Sequence, residues 1–152
     1  MKPFPRIVSV LAALTAAAFV SSTAQAIEPP PTDVVLIDHS TVDRAFALGQ
    51  PITINSSFKV QAGRRVMAGE AELHEHDTDI FYVLEGAATF VTGGTIAGAK
   101  TTGPGETRGK EITGGVPRHL VKGDVIVIPA GVPHCFTEVG GTFLYYVVKV
   151  TR

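Results

Sequence analysis

From Ile52 to the end of the chain, apolar residues almost never recur at helical spacing. They come in short runs instead, such as Ile52-Thr53-Ile54, Ser57–Val60, Arg65–Ala68, Ile80–Leu84, Ala87–Thr92 and Val116–Val121. Val125–Ile128, His134–Glu138 and Thr142–Val150 continue the series. β-branched and aromatic residues fit a pleated, half-buried surface, whereas a helix buries a stripe repeating every three to four positions. Sixteen Gly and 10 Pro among 152 residues cut these runs apart, so turns are frequent and strands short. The pattern predicts an all-β antiparallel sandwich or barrel, and the length suits one domain with a sizeable core.

Some segments depart from this pattern. Residues 27–33 contain Pro29-Pro30-Pro31 and read as an extended linker, because proline cannot enter a helix interior and restricts its predecessor. The folded domain is then expected over 34–152, starting with a strand at Val34–Ile37. Ser40 offers an N-cap hydroxyl with Asp43 three residues on, and Val42, Ala45 and Phe46 lie at helical spacing. Gly49-Gln50-Pro51 supplies a stop, so one short helix is predicted over 41–48, with His39 as a turn or capping residue. Glu85-Gly86 predicts a tight turn pairing Phe81–Glu85 with Ala87–Thr92. Val125–Ile128 is continuously apolar and is expected to be buried on both faces. Residues 93–115 are glycine-rich without an apolar period and read as a long loop, either a lid or an inert insert.

The first 26 residues stand apart. Lys2 and Arg6 give a basic start, Ile7–Val20 is apolar, and Ala24-Gln25-Ala26 has the small-x-small form of a cleavage site. This is the layout of a secretory signal peptide, and the apolar run is short of the ~18–20 residues that span a bilayer. Cleavage after Ala26 predicts a periplasmic or secreted protein with no membrane association. Of the 13 basic residues, loss of Lys2 and Arg6 leaves 11 against 14 acidic ones, a net charge of −3. The remaining Lys and Arg are scattered and not interleaved with aromatics, which argues against nucleic acid as a partner. Cys135 is the only cysteine, so no internal disulfide is available. It reads as a small buried strand residue, with a nucleophile as the competing reading.

Chemistry concentrates in Gly69–Gly86. Alternation along a strand places Glu72, His74 and His76 on one face, and imidazoles beside carboxylates are the usual ligands of a divalent transition metal. A solvated polar strand is the other reading.

Gly69-x4-His74-x-His76-x2-Asp79-x6-Gly86 resembles the first cupin motif, and Gly123-x5-Pro129-x-Gly131-x2-His134 resembles the second. The resemblance implies a double-sheet jelly roll, in agreement with the strand pattern. It also implies a homodimer and a metal held by His74, His76, Asp79 and His134. The acidic position commonly holds Glu, and Asp79 is shorter by one methylene. Metal–oxygen bonds near ~2.0–2.2 Å leave little slack for that difference. Glu138 stands where the family often has Asn, either as a further inward carboxylate or as the end of the strand. His119 reads as a surface residue.

Three functions fit these features. The first is a small metalloenzyme of oxygenase, isomerase or lyase type acting on a small organic substrate, with Fe, Mn, Zn, Ni or Cu as the metal. Glu72 would be its general acid or base, or would orient a ligand imidazole. The second is a non-catalytic domain that binds or senses a small ligand, and the third a metal-free structural cupin. Phe81 and Val83 are expected to face inward with Asp79 in any of them.

Overall fold

The computed structural model describes residues 28–152, so the signal-peptide reading of residues 1–26 lies outside the described residues. Among the described residues one helix, α1 (His39–Leu48), precedes thirteen strands. These are β1 (Pro51–Ile54), β2 (Phe58–Arg65), β3 (Ala71–His74), β4 (Asp77–Glu85), β5 (Ala87–Thr92) and β6 (Thr95–Ala97). They continue with β7 (Lys100–Gly103), β8 (Glu106–Gly109), β9 (Glu111–Thr113) and β10 (Val116–Val121). The last are β11 (Val125–Ile128), β12 (His134–Val139) and β13 (Phe143–Thr151).

The strands form a five-stranded sheet, β1-β2-β13-β4-β11, and a six-stranded sheet, β10-β5-β12-β3-β8-β7, with β6-β9 as a separate ladder. All pairings are antiparallel. The two large sheets face each other as a jelly roll, and no hydrogen-bonded ladder among the described residues closes them into a barrel. Burial along β4 alternates, with Asp77, Asp79, Phe81 and Val83 inside. In β13 the inward set is Phe143, Tyr145 and Val147. Ala88, Phe90, Leu120 and Phe136 meet them from the opposite sheet. Phe90 and Phe136 lie 4.6 Å apart between ring centroids, and Phe81 and Phe90 5.5 Å. Each such side chain contributes about 1.5–3 kcal/mol through burial.

The helix begins earlier than predicted. Asp38, not Ser40, caps it, accepting the Thr41 backbone N–H at 3.0 Å and the Ser40 hydroxyl at 2.5 Å. Gly49 ends it at φ 62°, as the Gly49-Gln50-Pro51 stop predicted. Phe46 packs edge-on against Tyr146, with 5.1 Å between centroids.

Several strand expectations are corrected. Val34–Ile37 forms no strand, with Val34 and Leu36 92% and 90% exposed, because no sheet edge receives it. Gly86 does make a tight turn, at φ 82°, but β4 and β5 lie in different sheets and do not pair. The turn carries the chain from one sheet to the other, and a Cβ at Gly86 would collide with the Thr142 carbonyl. β11 is an edge strand whose Val125 and Val127 face outward, so it is not buried on both faces.

The largest correction concerns residues 93–115. They are not a loop but β6 to β9, joined by turns in which Gly98 and Gly105 adopt positive φ. β8 pairs with β3, extending the six-stranded sheet. Ile96 and Ile112 of the β6–β9 ladder pack with Ala71, Leu73, Val91 and Cys135 on the outer face of that sheet. Cys135 is buried there as a small strand residue.

Candidate metal centre

Three neighbouring strands of the six-stranded sheet bring the site together. In the β3–β12 pairing Glu72 stands opposite His134, and in the β3–β8 pairing Glu72 stands opposite Arg108 while His74 stands opposite Glu106. Directly opposed residues on one sheet face are close enough for their side chains to interact. β4 supplies Asp79 from the facing sheet, and its partner in register on β13 is Lys149.

The two imidazoles are oriented by their Nδ1 atoms. His134 Nδ1 lies 3.0 Å from the Val132 carbonyl, which can only accept, so this nitrogen carries the proton. His74 Nδ1 lies 2.7 Å from Glu106 Oε2, a carboxylate contact that likewise favours Nδ1–H. Both Nε2 atoms therefore present lone pairs, and both are buried without a hydrogen-bond partner. Ligand atoms of Glu72, His74 and His134 lie within 4.8 Å of one another. The ring centroids of the two histidines are 5.2 Å apart. Buried nitrogen lone pairs left unpaired are costly, and a cation between them and a carboxylate would satisfy all three groups. The donor set fits a divalent transition metal.

Electrostatics agree with that arrangement. Burial by itself would raise the Glu72 carboxyl, but His134 and His74 in their protonated forms, together with Arg108 and Lys149, outweigh it and bring the pKa below the ordinary value. Glu72 is thus an anion at neutral pH. Burial pushes His134 downward, keeping its imidazole neutral, as a metal ligand must be. Arg108 Nη1 lies 2.9 Å and Arg65 Nη2 3.8 Å from the Glu72 carboxylate.

The sequence-derived ligands are only partly gathered. His74 and His134 meet. Asp79 is 2% exposed and its Oδ2 lies 3.6 Å from His74 Nε2 and 3.8 Å from His134 Nε2, but Lys149 Nζ already holds it at 2.5 Å. His76 is exposed and outside the group, because β3 ends at His74 and the chain bends through Glu75 and His76 before β4. Alternation therefore stops one step short of the second histidine, and Glu72 is the residue that lies with His74 and His134. Glu138 turns outward to Thr89 because the β12–β5 register shifts between Phe136 and Glu138. His119 is exposed on β10. Val83 lies in the core, while Phe81 also lines the cavity beside the site.

Glu106, Arg108, Arg65 and Lys149 were not anticipated. Glu106-x-Arg108 has the alternation of a strand and could have been noticed within the glycine-rich stretch. Lys149 follows Tyr145 and Val147 on the inward face of β13 at the same two-residue period. Neither signal says what lies opposite.

A sequence model of the cupin family matches residues 56–151. No curated protein matches the chain. Among solved structures, BH2720 from Bacillus halodurans aligns with TM-score 0.57 at 17% identity, covering 83% of this chain and 86% of that one. Peruvianin-I from Thevetia peruviana latex aligns with TM-score 0.44 at 14% identity, covering 64% and 53% of the two chains. Hydroquinone 1,2-dioxygenase from Sphingomonas sp. TTNP3 aligns with TM-score 0.49 at 11% identity, covering 66% and 63%. The chain thus spans less than two thirds of the latter two. At these identities the likeness is one of fold.

Proposed function

Because this chain belongs to the cupin family, we propose that it binds a divalent transition metal through Glu72, His74 and His134 and takes a small organic molecule beside it. The observation that carries this reading is the pair of buried, unpartnered Nε2 atoms facing an ionised carboxylate. When bound, the metal would supply Lewis acidity or, if iron, manganese or copper, redox chemistry. The protein's own residues do the rest. Glu106 and the Val132 carbonyl fix the imidazole tautomers, and both histidines are buried between the sheets. Glu72 holds the metal in this reading instead of serving as general acid, since the surrounding positive charge leaves it no proton to give at neutral pH. Asp79 borders the same two Nε2 atoms at 3.6 and 3.8 Å, its Oδ2 held by Lys149 and its Oδ1 buried without a partner.

A cavity of about 480 Å³ opens beside these residues and is large enough for a small substrate. Metal analysis of protein purified without chelator tests the reading. About one equivalent, lost in His74→Ala and in His134→Ala, is expected, and full occupancy surviving both substitutions would overturn it. Turnover or binding of candidate molecules by the loaded protein then separates enzyme from sensor. The layout of residues 1–26 supports export, for which the mature N-terminus should be Ile27. Among the described residues no helix is long and apolar enough to cross a membrane.

A further inference from the structure

Four cationic side chains line the cavity beside the proposed metal site, namely Lys59, Arg65, Arg108 and Lys149. Two already have dedicated partners. Lys59 pairs with Asp77 at 2.9 Å and Lys149 with Asp79 at 2.5 Å. Glu106 is engaged by His74 at 2.7 Å. Arg65 and Arg108 both lean on Glu72, whose single charge they share. If Glu72 ligates a divalent cation, that charge is drawn to the metal. Two guanidinium groups and the metal are then left facing a cavity with no anion assigned to them.

Arg65 is fixed in place for this role. Its Nε donates to the Tyr145 hydroxyl at 3.1 Å, and its guanidinium carbon stands 4.7 Å over the centre of the Phe136 ring. Arg108, with 42% of its side chain exposed, reaches Glu72 from β8 and remains accessible to an incoming molecule. A planar guanidinium matches a carboxylate with two parallel hydrogen bonds, which an ammonium group cannot reproduce.

We infer that the molecule taken beside the metal is a small organic carboxylate, its carboxylate held by Arg65 and Arg108. This rests on the metal reading above. Metal binding and carboxylate binding are therefore coupled, because negative charge that Glu72 gives to the cation no longer neutralises the arginines and the incoming anion supplies it instead.

The test is calorimetric titration of succinate into the full chain, with and without bound manganese. The manganese-loaded protein should bind succinate at least about tenfold more tightly than the metal-free protein, and should not bind neutral succinamide. Arg108→Gln should weaken succinate binding about tenfold while still taking up one equivalent of manganese. Arg65→Lys, which keeps the charge but loses the fork, should weaken it as well. Equal binding of succinamide, tighter binding of inorganic phosphate than of succinate, or unchanged succinate binding in both variants would overturn the carboxylate assignment while the metal site stands. Failure of the wild-type chain to take up manganese, zinc or iron would overturn the metal reading and this inference with it.

Discussion

Lys149 Nζ lies 2.5 Å from Asp79 Oδ2 with only 13% and 2% of the two side chains exposed. The pair spans directly opposed residues of β13 and β4, so both charges are carried by the sheet register itself. The acidic residue that the motif resemblance implies as a metal ligand is thus also half of a buried ion pair.

Breaking that pair should be far worse than removing it. Lys149→Met leaves the Asp79 carboxylate buried without its partner, and a loss of about 3–5 kcal/mol in unfolding free energy is expected. The double substitution Asp79→Asn with Lys149→Met should recover much of it. Denaturant unfolding of the single and double variants, without added metal, measures the coupling.

The positions of the histidines make a second prediction. His76→Ala should leave metal content unchanged, since that side chain is exposed in the bend after β3. Glu106→Gln should weaken metal affinity by about 10–100-fold, because the carboxylate at 2.7 Å orients the His74 ring. Competition against a fluorescent zinc indicator gives both values.

Asp77 predicts an acid-sensitive contribution to stability. Burial alone would raise its carboxyl, but hydrogen bonds from Lys59 and Thr151 and the charges of Lys59 and Lys149 bring it below the ordinary value. A carboxyl lowered in the folded state stabilises above its unfolded pKa, and the effect is lost as pH falls through the folded one. Asp77→Asn should therefore cost about 1.5–3 kcal/mol near neutrality. The gap should close as pH falls below about 4. Melting curves of both proteins across pH 3 to 7 test the sign.

Residues 93–115 should resist limited proteolysis with or without ligand, because β8 is paired into the large sheet and the β6–β9 ladder is packed on its outer face. Early cleavage should fall instead near Val34–Leu36, which is exposed and outside every strand. Rapid cutting within 93–115 would contradict the pairing.

Much of the architecture was legible residue by residue. Alternation in Asp79, Phe81 and Val83 predicted the inward face of β4, and Gly49-Gln50-Pro51 predicted where the helix stops. Cys135 was readable as a buried strand residue. The glycine-rich stretch was misread because its strands are three or four residues long and polar. Such strands form only by pairing with residues distant in sequence, such as Ala71–His74 with Glu106–Gly109. His76 was misplaced for a related reason: a period of two says which side chains share a face, but not where the strand ends.

By itself, then, the sequence determined an all-β antiparallel sandwich or barrel and the presence of Glu72 and His74 on one strand face, because these follow from short-range periodicity and turn chemistry, while the jelly roll was implied by the resemblance of its two motifs to those of cupins. Only the tertiary structure decided that Glu72, and not His76, lies beside His74 and His134, that Lys149 pairs with Asp79, and that Glu106 and Arg108 flank these residues. Those choices depend on cross-strand register and on the meeting of two sheets. Both are set by contacts between residues far apart along the chain, which no local pattern encodes.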